Sequence, residues 1–127
     1  MNREIKFRGK TYNGKWIYGY CYKVKSLFDQ QFNWFIRNDY QTDDMIIPET
    51  LGQYTGLKDK NGVEIYEGDK VNIQYQETIV ENAIIEYKGA SFYGVTDYDC
   101  WELDEYLDIE VLGNVYEGVV DENANQL

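Results

Sequence analysis

Hydrophobic and polar residues alternate in short runs along most of the chain, and a period of two is the mark of strands with one buried face. Ile5 and Phe7 alternate with Lys6 and Arg8 near the start. A second run, Trp16 to Tyr22, follows Asn13-Gly14, so the pair reads as a β-hairpin. Within it Trp16, Tyr18, Tyr20 and Tyr22 share one face and Ile17, Gly19 and Cys21 the other. Apolar character on both faces predicts a strand held between layers, with the rings packed into the core. Residues 27–37 fit two patterns: Phe32, Trp34 and Ile36 keep a strand period, whereas Leu27, Phe28 and Phe35 would make a helical stripe. We favour a strand over Phe32 to Arg37. The polar stretch Asn38 to Asp44 predicts a surface loop, and Pro48 should end the short apolar run Met45 to Ile47 because it removes a donor.

Turn residues dominate the middle of the chain. Asn61-Gly62 predicts a type I′ hairpin turn, with positive φ at both residues. Gly68-Asp69 punctuates again, after which Val71, Ile73 and Tyr75 alternate with Lys70, Asn72 and Gln74. Further strand signals recur at Ala83 to Tyr87, Phe92 to Val95 and Ile109 to Tyr116, a spacing that suits a small barrel. Leu103 and Leu107 lie four apart with Trp101 beside them, which predicts a single helical turn before the last strand. Asp121 to Leu127 lacks apolar periodicity and reads as a fraying tail. The pattern therefore predicts one mainly β domain: an N-terminal β-hairpin region over 1–48, a barrel over 49–117 and a polar tail over 118–127, with at most one or two short helical turns.

The length of 127 residues suits a single domain with a moderate core, and 13 Tyr, 5 Phe and 3 Trp supply bulky side chains that favour strands. Against 23 acidic residues stand 12 basic ones, a formal charge of −11. Such a balance repels phosphate backbones and anionic bilayers, so neither direct nucleic-acid binding nor membrane binding is expected. The first ten residues contain no apolar run of the kind a signal peptide or a spanning helix needs, which points to the cytoplasm. Cys21 and Cys100 lack the paired spacing of metal ligands and read as two buried, reduced thiols.

Candidate chemistry is sparse. The chain has no histidine, which removes the commonest general base near neutral pH, and no glycine-rich phosphate cradle precedes a helix. No catalytic residue, no cofactor site and no metal site is expected. Carboxylates crowd at Asp97, Asp99, Glu102, Asp104, Glu105, Asp108 and Glu110, but a charge run is usually a solvated face. The tyrosines of the first hairpin could stack bases, yet core packing is the commoner use of such rings. The best interaction surface is the exposed, locally basic tip from Lys58 to Gly62 with the neighbouring turn at Glu67 to Asp69; its residues are Lys58, Asp59, Lys60, Asn61, Glu67 and Asp69. The default reading of these residues is plain turn geometry, with Gly62 and Gly68 supplying positive φ and Asp59 satisfying local amides.

Three blocks carry a resemblance: Arg3 to Arg8, Glu49 to Val71 and Ile109 to Glu117. Together they resemble the YopX-like family of small phage and prophage proteins, at the start, middle and end of the chain. The resemblance implies a β-rich, partly SH3-like barrel and a phage or prophage origin. It implies no assigned activity, and it carries over no catalytic residue. Joined to the sparse chemistry, this predicts a non-catalytic module that binds an unidentified host or phage protein, with edge strands offering a route to a homo-oligomer. Two alternatives stand beside it: an acidic DNA mimic that inhibits a host nucleic-acid enzyme, and a carboxylate-dependent metallohydrolase.

Overall fold

The periodicity of two is realised as eleven strands in residues 4–117, the part of the chain that the computed structural model describes. The tail read over 118–127 lies outside the described residues. Strands pair antiparallel throughout, and the described residues fall into two units, residues 4–53 and residues 54–117.

In the first unit, β1 (Phe7–Lys10), β2 (Trp16–Lys25), β3 (Phe32–Arg37) and β4 (Asp43–Met45) form a meander in which each strand pairs with the next. On the other side of β1, Phe7 and Arg8 pair with Gln53 and Gly52, the first residues of β5 (Gly52–Lys58). The strand expected over Phe32 to Arg37 forms as such, and the loop that follows it is shorter than expected because β4 begins at Asp43.

Three isoleucines make the core here: Ile17, Ile36 and Ile46, with Cys21, Trp34 and Leu51 packed around them. Ile46 presses so closely on β1 that a Cβ at Gly9 would lie 2.6 Å from its Cδ1. Any larger residue at position 9 would push that core apart. Pro48 opens a 3-10 turn, Pro48–Thr50, the one helical element among the described residues. Thr50 fastens it: its Oγ1 accepts the Lys10 N–H at 2.8 Å and donates to the Ile47 carbonyl at 2.6 Å.

The alternation in β2 holds, but its sense corrects the expectation of ring-filled layers. Ile17 and Gly19 face the core, while Tyr18 and Tyr20 on the opposite side are largely exposed. A compact β-branched side chain fits the narrow space beneath β1 and β3, and a phenol keeps its hydroxyl hydrated by facing out.

The second unit is built on a five-stranded sheet in the order β10-β9-β8-β7-β11, comprising β7 (Asp69–Tyr75), β8 (Thr78–Lys88), β9 (Ser91–Val95), β10 (Cys100–Glu102) and β11 (Asp108–Asn114). The rest of β5 pairs with β6 (Glu64–Tyr66). Ile65, Val71, Ile73, Val80, Ala83, Ile85, Phe92 and Ile109 fill the core, flanked by Leu57, Trp101 and Leu103.

The helical turn expected over Trp101 to Leu107 is absent. Trp101 and Glu102 pair instead with Gly94 and Tyr93, and the Leu103 N–H reaches the Phe92 carbonyl at 2.9 Å. Opposite a glycine, the indole has room to lie on the core, so extended backbone satisfies both its packing and its amides. The pair of buried thiols also needs correction: Cys21 is half-buried, and Cys100, on edge strand β10, is exposed.

Candidate interaction surfaces

One turn design recurs at three places. At Thr11 to Lys15, Asn38 to Thr42 and Asp59 to Val63, the first residue's N–H donates to the fifth's carbonyl, and the fourth's N–H donates to the first's carbonyl. The fourth residue has positive φ in each: Gly14 at +88°, Gln41 at +61° and Gly62 at +83°. In each, the first side chain accepts the N–H of the fifth residue: Lys15 to Thr11 Oγ1 at 3.0 Å, Thr42 to Asn38 Oδ1 at 3.0 Å, Val63 to Asp59 Oδ1 at 2.9 Å. This is a three-residue hairpin loop closed by a left-handed residue. It corrects the type I′ expectation at Asn61-Gly62, because Asn61 does not have positive φ.

Asp59 does more than its counterparts. Its Oδ1 accepts the Asn61 N–H at 2.8 Å, as Asn38 Oδ1 accepts the Tyr40 N–H at 2.9 Å, but its second oxygen, Oδ2, also takes the Val111 N–H of β11 at 2.9 Å. A threonine could not offer two carboxylate oxygens, and an asparagine would present an NH2 to Val111. The adjacent Lys60 N–H donates to the Ile109 carbonyl at 2.9 Å, so the tip is tied to β11 twice. Burial pushes the Asp59 carboxyl up, but the N–H groups of Val111, Val63 and Asn61, with the Lys60 charge, outweigh it and hold the group below the ordinary carboxylate range.

These contacts redraw the surface expected from the sequence. Lys58, Lys60 and Asn61 are exposed at the tip, with Lys60 Nζ 3.6 Å from Glu110. Asp59 (7% exposed) and Asp69 (1% exposed) are buried and cannot meet a partner. Asp69 Oδ2 instead accepts the Tyr66 N–H at 2.7 Å across the turn that Glu67 and Gly68 make, with Glu67 half-buried. Gly68 has φ +92°, and a Cβ there would lie 2.5 Å from the Tyr116 ring.

A different tip presents the apolar surface. The hairpin of β2 and β3 ends in Leu27 and Phe28, which are 90% and 100% exposed. Their backbone is nevertheless held: Ser26 N–H to the Gln31 carbonyl at 2.7 Å, Phe28 N–H to Ser26 Oγ at 3.2 Å, and Gln31 N–H to Asp29 Oδ1 at 2.9 Å. Below the tip, Val24 and Phe32 are half-exposed, and Lys23 Nζ lies 4.4 Å from the Phe32 ring centroid. Nearer the core, the guanidinium of Arg37 makes a bidentate pair with Asp43 at 2.7 and 2.9 Å, which lowers the Asp43 carboxyl and stiffens the base of the arm. The pair Leu27-Phe28 was visible in the sequence, but as part of a helical stripe; the signal for a tip was the polar bracket of Ser26 and Asp29 between two strand patterns.

An open groove of about 540 Å3 lies on the outer face of β8 and β9. A β-bulge creates it. Glu81 and Asn82 intervene where Val71 pairs with Ala83 and Ile73 with Val80, and Asn82 takes φ +56° with its N–H on Asn72 Oδ1 at 3.0 Å. The opposite wall is a turn in which Thr96 Oγ1 accepts the N–H groups of Tyr98 and Asp99 at 3.2 and 2.9 Å. Ile79, Ile84 and Val95 form an apolar floor, and Glu81, Glu86, Asp97 and Asp99 rim it.

With the geometry established, comparison with known proteins identifies the family. The family model described as YopX protein matches residues 6–119. The chain belongs to the YopX protein family. All but the first residues of the three blocks that carry the resemblance fall inside the match, as do both hairpin tips and the groove. A search of the curated proteins finds no match.

In this YopX protein the carboxylates read from the sequence as one cluster are dispersed: Asp97 and Asp99 rim the groove, Asp104 accepts the Tyr106 N–H at 2.8 Å within a turn, and Asp108 and Glu110 lie on β11. Among the described residues no group of three or more Cys, Asp or Glu side chains converges as metal ligands. No described helix is long and apolar enough to cross a membrane.

Proposed function

We propose that this YopX protein is a non-catalytic interaction module, encoded by a phage or prophage and working in the host cytoplasm. The β2–β3 tip is its principal contact element. One observation carries the reading: two large apolar side chains stand almost fully exposed on a backbone fixed by hydrogen bonds. Unburied apolar surface contributes nothing to the fold, whereas a pre-ordered tip enters an apolar pocket with little further loss of backbone entropy. The basic tip at Lys58 and Lys60, stiffened through Asp59, offers a second, electrostatic contact. The absence of histidine from the sequence weighs against general acid–base chemistry at neutral pH.

Affinity capture from host lysate tests this. The wild-type chain should retain a protein that the double variant Leu27→Asp, Phe28→Asp loses, and charge reversal at Lys58 and Lys60 should weaken retention mainly at low salt. Identical capture by wild type and tip variant would refute the assignment of the contact, and catalytic turnover of any substrate would refute the non-catalytic reading.

A further inference from the structure

The interaction reading leaves the partner's chemistry open, and the same chain holds a surface complementary to its own tip. The tip offers Leu27 and Phe28 with Lys23 and Lys25 behind them and one carboxylate, Asp29, among them. The groove offers the apolar side chains of Ile79, Ile84 and Val95 within a rim of Glu81, Glu86, Asp97 and Asp99. Glu86 has a cation near it, Lys88 at 3.9 Å, but among the described residues no lysine or arginine lines the groove itself. Ile79 is 60% exposed, an isoleucine facing solvent on a strand. The groove's volume falls within the ~300–1,000 Å3 typical of clefts that enclose compact ligands.

We infer that the β2–β3 tip of one copy docks into the β8–β9 groove of a second copy, with Leu27 and Phe28 on the apolar floor and Lys23 and Lys25 against the acidic rim. This rests on the reading of the tip as a contact element and names its partner. Charge complementarity sets the orientation: the tip is the lysine-bearing apolar projection, the groove is acidic, and two grooves or two tips would repel. Because the two surfaces differ, one tip–groove contact leaves the pair with one tip and one groove still free, on different copies. Assembly therefore closes as a reciprocal dimer or continues to a larger ring or a filament.

The bulge and the rigid turn have a purpose in this scheme. They hold the groove open in the unbound protein, and the hydrogen bonds at Ser26 and Asp29 hold the tip in shape, so neither side must order itself on docking.

Sedimentation velocity across a concentration series tests the inference with the whole chain. Wild type should form concentration-dependent dimers or larger species, weakened by added salt. A tip variant, Leu27→Asp with Phe28→Asp, and a groove variant, Ile79→Lys with Asp97→Lys, should each lose self-association at least ~tenfold, since each removes a large apolar contact. All four substituted side chains are solvent-exposed, and circular dichroism checks that the fold is kept. Mixing the two variants decides the geometry: the tip variant keeps a groove and the groove variant keeps a tip, so the mixture should form a heterodimer and stop there. Wild type that stays monomeric, a groove variant that associates like wild type, or a mixture that stays monomeric would each overturn the inference. Should self-association fail while tip-dependent capture of another protein persists, only this inference falls; should the tip variant also capture as wild type does, the functional proposal falls with it.

Discussion

Replacing Asp59 tests whether one carboxylate joins a hairpin turn to a distant strand. Asparagine keeps an oxygen for the Asn61 and Val63 amides, as Asn38 does in its own turn, but it turns an NH2 toward the Val111 N–H. Loss of one charge-assisted hydrogen bond, leaving a half-buried amide without an acceptor, costs about 1.5–3 kcal/mol. Alanine removes all three acceptor contacts and should cost about 3–5 kcal/mol in total. Against a folding free energy of ~5–15 kcal/mol, both effects are readily resolved. Urea denaturation followed by tryptophan emission is the assay, with Trp101 on the core of the affected unit.

The pH dependence gives a second reading of the same contact. The folded pKa of Asp59 lies below its unfolded value, so its stabilisation is fully present above the unfolded pKa of ~3.9 and is lost as pH falls through the folded one. The stability gap between wild type and Asp59→Asn should hold steady from neutral pH to about pH 5 and close below about pH 4. Equal stability of wild type and Asp59→Asn would show that the Val111 bond contributes nothing. A gap that persists unchanged in acid would show that charge has no part in it.

Ala90, at φ +76°, is a residue with a Cβ in the left-handed region, so Ala90→Gly should stabilise the protein by about 0.5–1 kcal/mol and raise Tm by a few degrees in calorimetry. Two glycine-to-alanine variants should differ sharply in urea: a Cβ at Gly19 would lie 2.0 Å from the Arg37 carbonyl oxygen, a clash beyond ~3 kcal/mol, whereas Gly62 faces open space and should lose only about 1 kcal/mol to its backbone conformation. Ile46→Ala removes a fully buried side chain from a core of three isoleucines and should cost ~2–5 kcal/mol by the same measurement. A disulfide reagent should label Cys100 promptly in the native protein and Cys21 slowly, because Cys21 is half-buried and burial pushes its thiol up; equal rates would contradict the burial assigned to it.

Periodicity in the sequence located strands well but could not set their phase. In β2 both alternating sets carry apolar atoms, so the choice between them belongs to Ile36 and Ile46, which meet Ile17 from elsewhere in the chain. Turn residues likewise marked where the chain reverses and not how. Asn61-Gly62 carries the strongest type I′ signal, yet the pair with two positive φ values is Gly89-Ala90, joining Lys88 to Ser91, and Gln76 with φ +56° closes the β7–β8 hairpin without glycine or asparagine. What distinguishes the Asn61-Gly62 turn is the acceptor ahead of it. A Thr, Asn or Asp that takes the N–H of the fifth residue selects the three-residue loop, whatever the dipeptide inside would prefer alone.

The interaction surfaces follow the same division between local and distant causes. Lys58, Lys60 and Asn61 could be placed at an exposed tip because the turn around them is local. Asp59 and Asp69 could not be removed from that surface by sequence reasoning, since the Asp59 carboxylate is drawn in by Val111, 52 residues away, and the burial of Asp69 depends on the packing of the whole unit. The groove needed still more. Its floor joins the cross-strand pair Ile84 and Val95 with Ile79, which shares their face because an extra residue in β8 shifts the pairing with β7 and leaves Glu81 and Asn82 bulged outward. A bulge changes which side chains share a face without altering the hydrophobic pattern on either side of it. A function placed there is therefore readable from paired strands and not from a string of residues.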